Sequence, residues 1–197
     1  MSTVRKNNKF YALVLGLLIA LGALTGVRPA MGAGSASPWE SGFDSILAST
    51  LDLLDFGIKR YWVHCRNEST ISFENSAEKL SDLENGLNRM EQKMKEGQAL
   101  IAALRSRNPA SRTLLDLDRN GQVSKSEYLR GVVQLIEALR DLERSMAYVI
   151  QRNVAIRFKT GGGFEPHLRY LEAQVLEMEQ FVDIQIAALI KELDKWI

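Results

Sequence analysis

The chain has 197 residues, 46% hydrophobic and 25% charged, with 25 Lys+Arg against 24 Asp+Glu; these globular proportions exclude a wholly disordered or collagen-like polypeptide. A single Cys excludes a framework of internal disulfides, and a formal charge of +1 excludes a strongly basic nucleic-acid binder. The charge is unevenly spread. Residues 1–39 hold Arg5, Lys6, Lys9 and Arg28 and no acid; removing those four from the basic total leaves 21 against 24 acids from Glu40 onward, a net −3.

In chain order, Arg5, Lys6 and Lys9 precede an uncharged 18-residue run, Phe10 to Val27, and then the small-residue stretch Ala30 to Ser37. Positive charge before an apolar run, with small residues at candidate −3 and −1 positions (Ala30 and Gly32, or Gly34 and Ala36), is the layout of a cleavable secretory signal over residues 1–36. About 20 residues span the hydrocarbon core, so an uncleaved anchor with the remainder translocated stays open beside it. Both readings place residues 37–197 outside the cytosol, secreted, periplasmic or lumenal after cleavage, or held at the membrane through Phe10–Val27.

Ser37-Pro38-Trp39-Glu40 predicts a helix start, with Ser as cap, Pro at the first position and Glu reaching back. Phe43, Leu47, Leu51, Leu54, Ile58, Tyr61 and Cys65 then recur every three or four residues, as an amphipathic helix requires, up to a polar break at Arg66–Ser72. A second stripe runs Leu80, Leu83, Leu87, Met90, Met94, Ile101 and Leu104, weakened by Gly86 and Gly97 and stopped by Asn108-Pro109. The third is Tyr128, Val132, Leu135, Leu139, Leu142, Met146, Val149 and Ile156; the fourth, after Gly161–Gly163, is Leu168, Leu171, Val175, Met178, Val182, Ile186, Leu189 and Leu193. No β-branched alternation of strand length is present. The expected fold is all-α, an antiparallel bundle of about four long helices in one domain; the same stripes would also serve an inter-chain coiled coil.

Between the second and third stripes lies Asp116-Leu-Asp118-Arg-Asn120-Gly121-Gln122-Val123-Ser124-Lys-Ser-Glu127. A hard cation such as Ca²⁺ takes six to eight oxygens, and Asp116, Asp118 and Asn120 supply three alternating ones, with Gly121 permitting the sharp bend at the sixth place. This segment resembles the calcium loop of the EF-hand family. The resemblance, covering roughly residues 109–133, implies that Gln122 gives its backbone carbonyl, Ser124 a water-bridged contact and Glu127 both carboxylate oxygens; it also implies that Val123 forms a short β-link to a partner loop. Two departures accompany it. The lead-in cannot begin before Asn108-Pro109, leaving barely two turns, and no second loop exists. The nearest candidate, Ser81 to Gln92, has Leu at the third place and Gln at the twelfth and reads as helix. Three acids in a lone loop point to a dissociation constant of about 10⁻⁴ to 10⁻³ M.

The remaining signals are weaker. Met90, Met94, Met146 and Met178 lie on the stripes and read as core filler. Cys65 continues the first stripe as a small hydrophobe, and its neighbour His64 points about 100° away. With His167 the only other His, a Cys/His zinc site lacks ligands. Asn67-Glu68-Ser69 is a glycosylation sequon expected in the loop after the first helix. No catalytic triad or acid pair stands out. The expectation is therefore a non-enzymatic, exported calcium-binding bundle with a structural or partner-binding role. The competing expectation is a single-pass membrane-anchored scaffold or sensor whose bundle self-associates or takes a protein partner, calcium only stabilising it.

Overall fold

The computed structural model describes residues 37–69, 77–160 and 165–197, with side chains described for 37–59, 83, 85–154 and 169–197. The apolar run Phe10–Val27 lies outside these residues, as do Gly161–Gly163 and the side chains of His64, Cys65 and His167. Among the described residues every regular element is helical: α1 (Pro38–Ser41), α2 (Asp44–Ser69), α3 (Ala77–Arg105), a 3₁₀ turn at Pro109–Ser111, α4 (Lys125–Thr160) and α5 (Glu165–Leu193). No helix among them is long and apolar enough to cross a membrane.

Four amphipathic stripes bury themselves by facing one another. Phe43, Leu47 and Leu54 of the first stripe, Met90, Met94 and Ile101 of the second, Val132, Leu135, Leu139, Leu142 and Met146 of the third, and Val175, Val182 and Leu189 of the fourth form one core with almost no exposure. Met178 completes the four stripe methionines, all buried. Deleting a buried Leu or Met from such a core to Ala costs about 2–5 kcal/mol.

Cross-helix neighbours give the directions. Gly57 of α2 lies against Met94 and Met178, and Gly97 of α3 against Leu54 and Leu135. Gln98 bonds Asp55, Ser49 and Thr50 bond Gln185 at 3.0 and 3.1 Å, and Gly42 abuts Glu192. As numbers rise along α2 they fall along α3 and α5, so α2 is antiparallel to both. Lys93 reaches Asp141 (3.6 Å), Gly86 meets Val149, and Gly131 meets Leu104, so α3 and α4 are antiparallel as well. With α5 packed on both α4 and α2, the four long helices close an up-down-up-down ring.

Among the described side chains the sequence stripes hold in register, Tyr61, Leu80, Ile156 and Leu168 lying outside them, and three local expectations change. The first helix starts as expected at Ser37, whose backbone N–H donates to the Glu40 carboxylate at 3.1 Å. It breaks at Gly42–Phe43, where the Phe43 N–H bonds the Glu40 carbonyl, a tighter i→i−3 link, before α2 begins. The break at Arg66 does not end α2, which continues to Ser69 and holds the sequon in its last turn, since Arg and Glu are good helix formers with or without an apolar stripe. Gly86 and Gly97, read as weaknesses, are instead buried contact points where the absence of a side chain lets neighbouring helices close in.

A Cβ at Gly97 would lie 2.8 Å from Leu54 Cδ1. Gly97→Leu is therefore expected to overpack the core and cost about 1–3 kcal/mol, read as a lower urea midpoint without a change in slope. Glu143 of α4 supplies a pH prediction. Burial, then a hydrogen bond to Asp183 and the charges of Asp183 and Glu179 on α5, push its carboxyl up to about 7, against a smaller opposing pull from Arg140. Its folded pKa lies above the unfolded value of 4.5. The unfolded chain thus releases this proton first, and stability falls as pH rises from about 4.5 to about 7. Glu143→Gln should raise the melting temperature at pH 8 and leave it unchanged at pH 4; equal shifts at both would refute the assignment.

Candidate metal centre

The connection from α3 to α4 carries the acidic loop. Asn108 caps the 3₁₀ turn, its Oδ1 accepting the Ala110 N–H at 3.0 Å, and Pro109 takes the first helical position. The lead-in is thus one 3₁₀ turn rather than two turns of α-helix. Arg112 ends it and its carbonyl accepts the N–H of Leu115 (2.8 Å) and of Asp116 (3.1 Å), fixing where the loop begins. Leu115 is buried and anchors that point in the core.

Within the loop, backbone amides gather the polar side chains. Asp116 accepts the N–H of Asn120 at 3.1 Å on Oδ1 and of Gly121 at 2.9 Å on Oδ2. Asp118 Oδ1 accepts the Asn120 N–H at 3.1 Å, and Asn120 Oδ1 accepts the Gln122 N–H at 2.8 Å. Glu127 Oε1 accepts the Leu117 N–H at 2.9 Å, and Oε2 accepts both the N–H (2.9 Å) and the hydroxyl (2.7 Å) of Ser124. Two residues take positive φ to allow this, Arg119 (57°) and Gly121 (82°); at Gly121 glycine removes the Cβ penalty.

Carboxylate oxygens of Asp116, Asp118 and Glu127 lie within 4.8 Å of one another. Oxygens on opposite sides of a calcium ion are about 4.6–5.2 Å apart, twice a bond of about 2.3–2.6 Å, so one cation can touch all three. A carboxylate oxygen has two lone pairs, so the single amide bonds on Asp116 Oδ1 and Oδ2 leave those oxygens a free pair each, whereas Glu127 Oε2 already accepts two bonds from Ser124 and would have to release one to meet an ion. The Ser124 hydroxyl, then its N–H and that of Leu117, hold Glu127 down to about 2, keeping it anionic throughout the physiological range. Asn120, Gln122 and Ser124 are exposed, Ser124 bound to Glu127. Val123 is half-buried against the bundle core.

Sequence reasoning missed the support beneath the loop. Tyr128, directly after Glu127, is fully buried, with Trp39 at 5.0 Å edge-on and Phe43 at 5.9 Å. The Arg112 guanidinium lies 5.8 Å over the same ring and donates to Glu40 Oε1 at 2.7 Å, while Arg107 reaches Glu40 Oε2 at 2.8 Å. Burial alone would raise the Glu40 carboxyl; the Ser37 hydrogen bonds, Arg112 and Arg107 outweigh it and hold it below the usual range. The aromatic residues flanking Glu40 were the available sign that this acid is enclosed and not only a cap. On the other side, Lys125 lies 5.7 Å over Trp196, whose Nε1–H donates to Glu192 at 3.1 Å.

No protein-family model, curated protein or solved structure matches the chain.

The Tyr128 ring, not its hydroxyl, makes the contacts described here. Tyr128→Phe is expected to stay within about 1 kcal/mol of the parent, whereas Tyr128→Ala should lose about 3–5 kcal/mol in denaturant unfolding. A large loss in Tyr128→Phe would show that the hydroxyl carries the cluster.

Proposed function

We propose that this protein is a non-enzymatic calcium-binding helical bundle holding one ion in a single EF-hand-like loop. Asp116, Asp118, Asn120, Gln122, Ser124 and Glu127 are the ligand residues, Gln122 through its carbonyl and Ser124 through a water. The gathering of the Asp116, Asp118 and Glu127 oxygens within 4.8 Å, in the register that the twelve-residue loop demands, carries this reading. The ion offsets two of the three crowded negative charges and ties the end of the α3–α4 connection to the first turn of α4. It works as a structural clip, and the bundle surface serves as a scaffold or partner-binding face. The basic, acid-free segment and the apolar run Phe10–Val27 support export, with the bundle acting outside the cytosol, where calcium is abundant.

At ~1 mM calcium and a dissociation constant of ~10⁻⁴ M, binding stabilises the fold by about 1.4 kcal/mol. For a domain of this size that corresponds to a rise of about 3–6 °C in melting temperature. Isothermal calorimetry should give one site per chain, abolished by Glu127→Gln. Absence of a calcium heat in the parent, or its survival in the variant, would overturn the reading.

A further inference from the structure

We infer that the segment 37–43 is a calcium-dependent latch: ion binding in the loop and docking of α1 onto the end of the bundle strengthen one another. The inference rests on the calcium reading above and goes beyond it, because none of the latch residues is a proposed ligand.

Both flanks of the loop grip the same short segment. Upstream, Arg112 positions Asp116 through its backbone carbonyl, which accepts the Asp116 N–H at 3.1 Å, while its side chain donates to Glu40 at 2.7 Å. Downstream, the residue after Glu127 is Tyr128, whose N–H bonds the Ser124 carbonyl at 3.0 Å and whose ring packs on Trp39 and Phe43. Arg112 also lies over that ring, so the two flanks meet on α1. A loop whose ligands are drawn together by an ion fixes the backbone at Arg112 and Ser124, and with it the two side chains that hold Glu40, Trp39 and Phe43. The reverse is equally required, since coupling between two sites is reciprocal.

Beyond these contacts the segment is held by Arg107 on Glu40, by Phe43 in the core and by Gly42 against Glu192, so α1 itself depends on tertiary contacts. It is four residues long, too short to persist as a helix alone, and its bonds are the Ser37–Glu40 exchange and the amides of Glu40, Ser41, Gly42 and Phe43. Those four amides report the latch directly. With calcium they are protected; when the loop loosens, the grip on Glu40 and the aromatic pair weakens and they open in a local unfolding event separate from the core.

The test is hydrogen exchange on the full chain with and without calcium, read for the amides of residues 40–43, together with calorimetry of the parent and of Glu40→Gln. Calcium should slow exchange of these amides at least fivefold, well beyond any change at buried α4 amides such as Leu139. Glu40→Gln should weaken calcium binding at least fivefold, the lower end of ordinary coupling, with all proposed ligands intact. Unchanged exchange at 40–43 beside a normal calcium heat would overturn the latch and leave the calcium reading standing. No calcium heat in the parent would overturn both. Should Glu40→Gln fail to fold by circular dichroism, the parent's exchange ratio alone decides the matter.

Discussion

Three carboxylates brought within 4.8 Å of one another repel, and the end of this bundle is organised around that constraint. Backbone amides of Leu117, Asn120, Gly121 and Ser124 hold the anions in place, at the expense of positive φ at Arg119 and Gly121. In the proposed reading, an oxygen-seeking divalent cation turns this repulsive cluster into a cross-link. The rest of the structure supplies the frame. Leu115 and Tyr128 pin the loop's two ends into the core, and the ring of antiparallel helices gives those ends fixed positions.

The helical architecture was readable because each stripe repeats at helical spacing for many turns, and burial of Leu47, Met94, Leu139 and Val182 follows that spacing. Boundaries were less so. The helix after Ser37 is interrupted at Gly42–Phe43 by an i→i−3 bond although Gly42 keeps helical dihedrals, a local tightening that apolar spacing does not encode. Gly86 and Gly97 look like defects in a single helix and become assets only when a neighbour closes in. The end of α2 escaped the periodicity argument because polar residues such as Arg and Glu can extend a helix beyond its apolar stripe.

At the candidate site, the alternation of Asp116, Asp118 and Asn120 before Gly121 was readable in the sequence, and Glu127 entered through the resemblance to the EF-hand loop. Their support was not readable. Glu40 lies 72 residues from Arg112, and nothing local announces that a helix-capping acid also receives two guanidinium groups. Val123 shows the same limit. The family resemblance implies a link to a second loop, whereas here the side chain rests partly buried against its own bundle, so the lone loop has a neighbour within the chain.

The most direct measurement is luminescence of terbium(III), an oxygen-seeking ion that replaces calcium, excited through the aromatic residues beside the loop. The account predicts sensitised emission that calcium displaces and that Asp116→Asn and Glu127→Gln each abolish. Emission absent from the folded parent, or equally strong in both variants, would contradict an ion held by this loop.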